Sequence, residues 1–335
     1  MTASVYDQLA AGAHPLEHGV PEVDVGMVTW NTRDLAVAAL RRVLAAGDGC
    51  RLRVLVHDNG STDGTAQAVR DQVPEADVDV SAHNRGFAAG VNALLARSRA
   101  PWFLVLNSDA WPEPGAIPAM VAEARRWPSA GAVAPRLLRP DGTVEHSTHA
   151  FPSIRLAAAA AVGPRLVGRE RADRWLLEGA WEHDRPRRVG WAVGAALLLR
   201  REAVDDVGGF DESFFMYAED LEWCWRARRR GWTVRFTPAA VVRHVGNASG
   251  AIAFGDSRDA AVLTSSYRFY REAHGRLATA GFAACNVVGA ARLGAAARRR
   301  RDRDAAGFWS RQLKVHLRLG LGLGLHAEAP GGRSR

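Results

Sequence analysis

Between residues 23 and 106 short apolar runs alternate with amphipathic stretches, and this alternation leaves few folds open. Apolar runs occupy 23–30, 52–57, 78–81 and 102–106; the helical spacing of apolar positions between them predicts helices over 35–46, 65–73 and 88–99. Strand–helix–strand repetition of this kind predicts an α/β fold, a mostly parallel sheet with helices on both faces. Asn59-Gly60 and Asp63-Gly64 are turn signals just after the second strand, and the Ala100-Pro101 step stops the third helix. In such a sheet ligands collect at the carboxyl ends of strands, so polar residues there are the first candidates for a site.

The pattern weakens between 135 and 189. Asp141-Gly142 predicts a hairpin turn between Leu137-Leu138 and Val144, and 153–188 is an Ala/Arg-rich stretch without a readable period. Residues 191–199 then read as one apolar strand. Gly208-Gly209 breaks the chain, a helix is predicted over 219–230 with Gly231 ending it, and 233–236 and 241–242 read as two further strands. Beyond 250 the sequence is helical and basic. The expected organisation is a polar leader over 1–22, an α/β domain over 23–250 and a basic helical region with a tail over 251–335.

Of the 335 residues 47% are hydrophobic and 24% charged, as in a soluble globular protein. The net charge of +8 is carried by arginine, since Lys314 is the sole lysine. Cys50, Cys224 and Cys285 are far apart with no CxxC, so no disulfide framework or zinc site is readable, which fits a reducing cytoplasm. The first 21 residues lack a secretory apolar core, and the longest small-apolar run, 156–163, is far short of the roughly 20 residues that span a bilayer. A cytoplasmic protein, soluble or peripheral on the inner face of the membrane, is expected. Tyr267, Phe269 and Tyr270 beside Arg268 and Arg271 read as a membrane-facing helix, with Arg298 to Arg303 against anionic lipid; the alternative is a solvated helix packed on the domain. The aromatic-basic motifs of RNA-binding modules are absent, so no nucleic-acid partner is expected.

Asp58 ends the second strand, where a carboxylate can accept hydrogen bonds from a base or ribose, or form an Asx turn with Thr62 or Asp63 capping the next helix. Asn107-Ser108-Asp109 follows the buried run 103–106. An oxygen-rich strand end with one carboxylate suits Mg2+ or Mn2+ bound through a diphosphate. Asn84-Arg85-Gly86 opens the third helix, whose N-terminus can face phosphate. Glu219 and Asp220 fall in the first turn of a helix, where negative charge meets the dipole; the competing role is a general base acting on a hydroxyl. Among the histidines, His244 is the candidate metal ligand. No GxGxxG follows the first strand, where Val28-Thr29-Trp30-Asn31 stands, which counts against a dinucleotide oxidoreductase; no Walker A sequence appears either.

Seven segments in series resemble the family 2 glycosyltransferases, particularly the bacterial rhamnosyltransferase-like branch. They are Val28-Thr29-Trp30-Asn31, Asp58-Asn59-Gly60-Ser61-Thr62-Asp63-Gly64, Asn84-Arg85-Gly86-Phe87, Asn107-Ser108-Asp109, Gly208-Gly209-Phe210-Asp211-Glu212, Phe215-Met216-Tyr217-Ala218-Glu219-Asp220 and Arg226. The resemblance implies a GT-A fold, inversion at the sugar carbon and Mg2+ or Mn2+ as cofactor. The implied donor is a nucleoside-diphosphate sugar, dTDP-rhamnose or a UDP-sugar, and the acceptor a glycan, lipid-linked intermediate or small molecule. It implies Asp58 at the nucleotide base with Thr29 and Asn31 nearby, and Asn84, Arg85, Gly86, Asn107 and Ser108 around the donor. Asp109 would be the metal-holding carboxylate of a DxD-type motif, with Asn107 where many relatives carry the first aspartate, and His244 would complete the metal site. Asp220 would be the base, with Glu219 its rival. Trp191, Gly194 and Ala195 would shape the sugar and acceptor pocket, or simply fill a buried strand.

Two other readings stand beside this one. A nucleotidyltransferase shares the sheet and acid placement but needs a basic glycine-rich loop near the first strand, and none is visible. A catalytically inactive glycosyltransferase-like scaffold is opposed by the intact Asp58, Asp109 and Asp220.

Overall fold

The computed structural model describes residues 20, 22–46, 49–176, 181–246 and 258–324. The expected leader lies almost wholly outside the described residues. The first half alternates as the sequence predicts: β1 (Glu22–Thr29), α1 (Arg33–Ala45), β2 (Arg51–Asp58), α2 (Thr65–Gln72), β3 (Ala76–Val80), α3 (Phe87–Arg97) and β4 (Trp102–Asn107). The chain continues through β5 (Ala110–Pro112), α4 (Ala116–Arg126), β6 (Ala130–Leu138), β7 (Thr148–His149), α5 (Ile154–Val162), α6 (Pro164–Val167) and α7 (Arg169–Arg174). Then come β8 (Arg187–Val189), β9 (Trp191–Ala192), β10 (Ala196–Arg200), α8 (Arg201–Val207), α9 (Glu219–Arg229), β11 (Thr233–His244), α10 (Arg258–Arg299) and α11 (Arg303–Gly320).

The main sheet has the order β3-β2-β1-β4-β10-β6-β11-β5, with β8 also on β11. β1 to β4 pair in parallel, and β10 runs antiparallel between β4 and β6. Each central strand sends alternate side chains to opposite faces, and both faces are buried. In β4, Trp102, Leu104 and Leu106 join one core with Val23, Val25 and Met27 of β1, whereas Phe103 and Val105 join the other. Burial on both sides is why these strands read as continuous apolar runs. The chain winds outward from β1 to β3 and returns to β4 on the other side of β1, so a crevice opens at the carboxyl ends of β1 and β4.

Three expectations are corrected. Residues 191–199 form two strands in different sheets: β9 pairs with β7 and β10 with β4 and β6. The Val193 N–H still continues the β7 pairing by donating to the Ser147 carbonyl, and the chain turns at Gly194, whose N–H leaves the ladder for Asp220 Oδ2. The strands expected at 233–236 and 241–242 are one strand, β11, with an irregularity between Thr237 and Val241. Finally, Tyr267, Phe269 and Tyr270 do not face a membrane. Their exposures are 1%, 2% and 3%; Phe269 packs with Phe214 and Leu221, and Tyr267 with Ala283 and Leu319. α10 bends sharply at Gly275 (φ 82°, ψ 174°), after which α11 folds back along it. By length and composition α10 is also long and apolar enough to cross a membrane, a feature the run-length reading overlooked because Thr279 and Asn286 interrupt its apolar run.

Candidate active site

The crevice at the strand ends is a cavity of about 440 Å³. It gathers Thr29, Asn84, Asn107, Ser108, Asp109, Trp191, Gly194, Ala195, Glu219, Asp220 and His244 from the sequence candidates. Asn31, Asp58, Arg85 and Gly86 do not line it. Asp58 is 1% exposed, and its carboxylate accepts from Thr29 Oγ1 (2.9 Å), Ser61 Oγ (2.6 Å) and the Ser61 N–H (2.8 Å). It thus holds the loop after β2 from behind the cavity wall. Asn31 Oδ1 accepts from the Thr62 N–H, and Arg85 pairs with Glu212. Asp63 accepts from the Thr65 N–H in an Asx turn that leads into α2, whose cap residue is Gly64.

Gly86 works through its backbone. Its φ is +92°, and a Cβ there would lie 2.4 Å from the Phe215 carbonyl oxygen, which accepts the Phe87 N–H. Asn84 Oδ1 accepts the Gly86 N–H, so this loop is fastened to the segment before Glu219. Gly86→Ala is expected to lower stability by more than ~1 kcal/mol, read as a lower urea midpoint with an unchanged slope.

Asp109 stands in the bend between β4 and β5, and β5 pairs with the end of β11 with Ala110 opposite His244. This pairing brings together residues far apart in sequence. His244 Nδ1 lies 2.8 Å from Glu145 Oε2, and its Nε2 lies 3.4 Å from Asp109 Oδ1 without the alignment of a hydrogen bond. Burial opposes charge on His244, but the Asp109 and Glu145 carboxylates outweigh it and lift its pKa to about 9. Glu145 was missed by sequence reasoning; the turn at Asp141-Gly142 delivers it, with the Glu145 N–H donating to the Leu137 carbonyl.

Asp109 and His244 suit a divalent cation. The donor set is one carboxylate and one imidazole whose other nitrogen is already fixed by Glu145; Nε2, facing Asp109 at 3.4 Å, would give up its proton as the cation binds. Among the described residues no three His, Cys, Asp or Glu groups converge as a full metal shell. Such a cation would take its remaining ligands from water and substrate oxygens, as magnesium does in phosphate sites.

The start of α9 also lines the cavity. Tyr217 (φ 72°) and Ala218 (φ 67°) are both left-handed, a conformation that costs ~1–3 kcal/mol for each non-glycine residue. The turn they make aims the first-turn acids inward: Glu219 is 5% exposed and Asp220 7%. Asp220 Oδ2 accepts the Gly194 N–H (2.8 Å) and Oδ1 its neighbour Leu221 N–H (2.7 Å). Burial pushes the Asp220 carboxyl up to about 6 against these bonds. Burial, then the Asp220 charge, pushes Glu219 well above the usual carboxylate range. Both Asp220 oxygens thus have N–H partners, whereas Glu219 Oε2 has no hydrogen-bond partner among the described residues. Arg226 braces neither acid; it bonds Glu222 and the carbonyls of Val207 and Gly209.

Trp191 forms an aromatic wall, stacked on His149 at 4.5 Å. Burial, with His146 and His183 nearby, lowers the His149 pKa to about 3, so this support is neutral. Arg258, Val262 and Ser266 of α10 also face the cavity and were not foreseen, because nothing in a helix sequence tells which turn reaches a distant pocket.

An acid pair at a helix start and a carboxylate–imidazole pair at a strand end, lining one cavity, are the residues that the sequence resemblance implies. Residues 24–206 match the model described as Glycosyl transferase family 2. The chain belongs to that family. Residues 182–329 match a second model, Glycosyl transferase family group 2. The family 2 chain is 38% identical over 203 residues to N-acetylglucosaminyl-diphospho-decaprenol L-rhamnosyltransferase of Mycobacterium tuberculosis, covering 57% of this chain and 66% of that protein. It is 29% identical over 243 residues to pre-mycofactocin glycosyltransferase of the same species, covering 70% and 46%. The match spans less than two thirds of either relative's length. Mannosyltransferase PcManGT from Pyrobaculum calidifontis, solved in complex with GDP-Man and Mn2+, superposes with a TM-score of 0.56 over 94% of this chain and 93% of that one at 20% identity. The fold of this family 2 chain is thus the mixed α/β, GT-A type.

Proposed function

We propose that this family 2 protein is a metal-dependent, inverting glycosyltransferase that moves a sugar from a nucleoside-diphosphate donor to a hydroxyl of a lipid-linked saccharide. L-Rhamnose from dTDP-rhamnose is the favoured donor. The observation that carries this reading is one cavity at the sheet's switch point, lined by both the Asp109–His244 pair and Asp220. The 38% identical relative named as an L-rhamnosyltransferase on a decaprenol-linked sugar supports the sugar and acceptor class.

In this reading Asp109 and His244 hold a divalent cation, which supplies positive charge for the departing diphosphate when bound. Asp220 takes the proton of the acceptor hydroxyl as that oxygen bonds the anomeric carbon from the face opposite the diphosphate. The bond from that carbon to the diphosphate oxygen breaks, the nucleoside diphosphate leaves with the electron pair, and the anomeric configuration inverts. Glu219 and Trp191 line the same cavity, and the indole of Trp191 can meet a sugar ring. Arg258 places a guanidinium in the same cavity, where it can meet phosphate oxygens.

The test is thermal stability against nucleoside diphosphates and their sugars, with and without Mn2+. A ligand that binds only the folded chain raises Tm by mass action. A shift with dTDP and dTDP-rhamnose that needs Mn2+ is expected. A shift confined to UDP or GDP would reassign the donor, and none with any nucleotide would leave an inactive scaffold.

A further inference from the structure

The part of α10 beyond Gly275 has no charged residue between Arg276 and Arg292. Its outward stripe is apolar throughout: Leu277, Ala280, Ala284, Val288 and Ala291 are all exposed, Leu277 by 92% and Val288 by 60%. A surface helix of a soluble domain normally turns charge toward water on that side, and one apolar all round belongs in a core or in lipid. It is not a core helix, for only 22% of its most apolar window is buried. Charge lies instead at its two ends. Arg271 and Arg276 stand at one, and Arg298, Arg299, Arg300, Arg301 and Arg303 at the other, interrupted by Asp302.

We infer that this face of α10 rests in the interface of an anionic lipid bilayer, with the helix lying in the membrane plane. Spanning is opposed by two features. The uncharged stretch 277–291 is about 22 Å long at 1.5 Å per residue, short of the ~30 Å hydrocarbon core. In addition α11, which carries Arg311, Lys314 and Arg318, packs along this part of α10, Gly294 against Trp309 and Gly320 against Ala283. Those cations cannot follow it into hydrocarbon, but they can meet headgroups. A second copy of the chain is a poorer occupant. Two-fold pairing of the stripe in antiparallel fashion sets the Arg271/Arg276 end of one copy against the arginine cluster of the other.

The surface reaches the site through one element. The turns of α10 before Gly275 bring Arg258, Val262 and Ser266 to the cavity, so the bend joins a lipid-facing segment to a wall of the pocket. This deepens the lipid-linked acceptor reading, on which its purpose rests, but vesicle binding requires no catalysis and is tested apart from it.

The experiment is co-sedimentation of the full chain with vesicles of phosphatidylcholine alone or with phosphatidylglycerol, at low and high salt. Leu277→Glu/Val288→Glu changes exposed positions only, and unchanged Tm and circular dichroism confirm that it folds. Binding is expected on phosphatidylglycerol vesicles, weakened by salt, and reduced on the order of tenfold or more in the double variant. Arg298→Gln/Arg299→Gln is expected to lose about fivefold per arginine on anionic vesicles only. The inference is overturned if the wild-type chain ignores anionic vesicles at low salt or if the double variant binds as well as wild type. A wild-type dimer that Leu277→Glu/Val288→Glu dissociates, without vesicle binding, would give the face to a second copy. Loss of vesicle binding with intact transfer to a short water-soluble acceptor supports the inference. Vesicle binding by a chain that transfers no sugar overturns only the catalytic reading.

Discussion

Asp220→Asn is expected to slow sugar transfer by ~10²–10⁴-fold, the range a general base supplies, while nucleotide-sugar binding measured by calorimetry stays within a few-fold of wild type. Glu219→Gln is expected to retain most of the rate. The two neighbours differ because their environments differ. Asp220 accepts N–H bonds from Gly194 and Leu221, which favour its charged form, whereas Glu219 is buried with one oxygen unpartnered, and burial, then the Asp220 charge, raises its pKa well above the usual carboxylate range. Glutamine therefore imitates the state of Glu219, and asparagine abolishes that of Asp220. The pH profile follows with a definite sign. A base must be deprotonated, so kcat/KM rises as pH climbs through about 6, the value to which burial lifts Asp220, and levels off above it. Stability moves the other way over that window. The folded pKa lies above the unfolded one of about 4, so the Asp220 contribution is full below the unfolded value and is lost as pH rises through the folded one. Asp220→Asn should flatten the acid limb of the residual rate, and Glu219→Gln should leave it in place. The opposite pattern, with Glu219→Gln inactive and Asp220→Asn near normal, would exchange the roles.

Why Asp220 was legible and Glu145 was not comes down to the range of the signals. The strands β1, β2 and β4 announce themselves because both faces are buried, and the local turn residues Asn59-Gly60, Asp63-Gly64 and Asp141-Gly142 set their own geometry. Asp109, Glu219 and Asp220 sit at element ends that such local patterning predicts. Glu145 is at the end of a hairpin, and its partner His244 is ninety-nine residues away; no spacing rule reaches that far. The same limit produced the error at 191–199. Apolar composition read as one strand, yet the break at Gly194 is set by Asp220, a residue on another element. Period 3.6 in the segment around Tyr267 reported an apolar face correctly. What it could not report was the occupant of that face, because phenylalanine against Phe214 and phenylalanine against lipid obey one pattern.

Asp109→Asn is expected to remove Mn2+-dependent donor binding, and Glu145→Gln to weaken the metal by about 10–100-fold, as loss of a group that orients an imidazole ligand does. The readout is direct: Mn2+ titration by electron paramagnetic resonance in the presence of nucleoside diphosphate, with no turnover needed. The expectation rests on geometry. Asp109 and His244 are 4% and 6% exposed, and the register of β5 on β11 leaves Nε2 facing Asp109 at 3.4 Å, while Glu145 fixes Nδ1. A ring held at one nitrogen presents the other in one direction, which is what a metal ligand requires. If instead the three side chains form only a charge cluster that locks the end of β11 to the hairpin, the signature changes. Breaking a buried pair by removing one partner is destabilising by ~3–5 kcal/mol, so both variants would melt early, yet each would keep wild-type Mn2+ affinity at temperatures where it is folded. With Asn107 in place of a second carboxylate, Asp109 is the only acid of its triplet, and its substitution leaves that strand end no other anionic ligand. A large effect at Asp109, graded at Glu145, is therefore what distinguishes a metal centre from a structural salt cluster here.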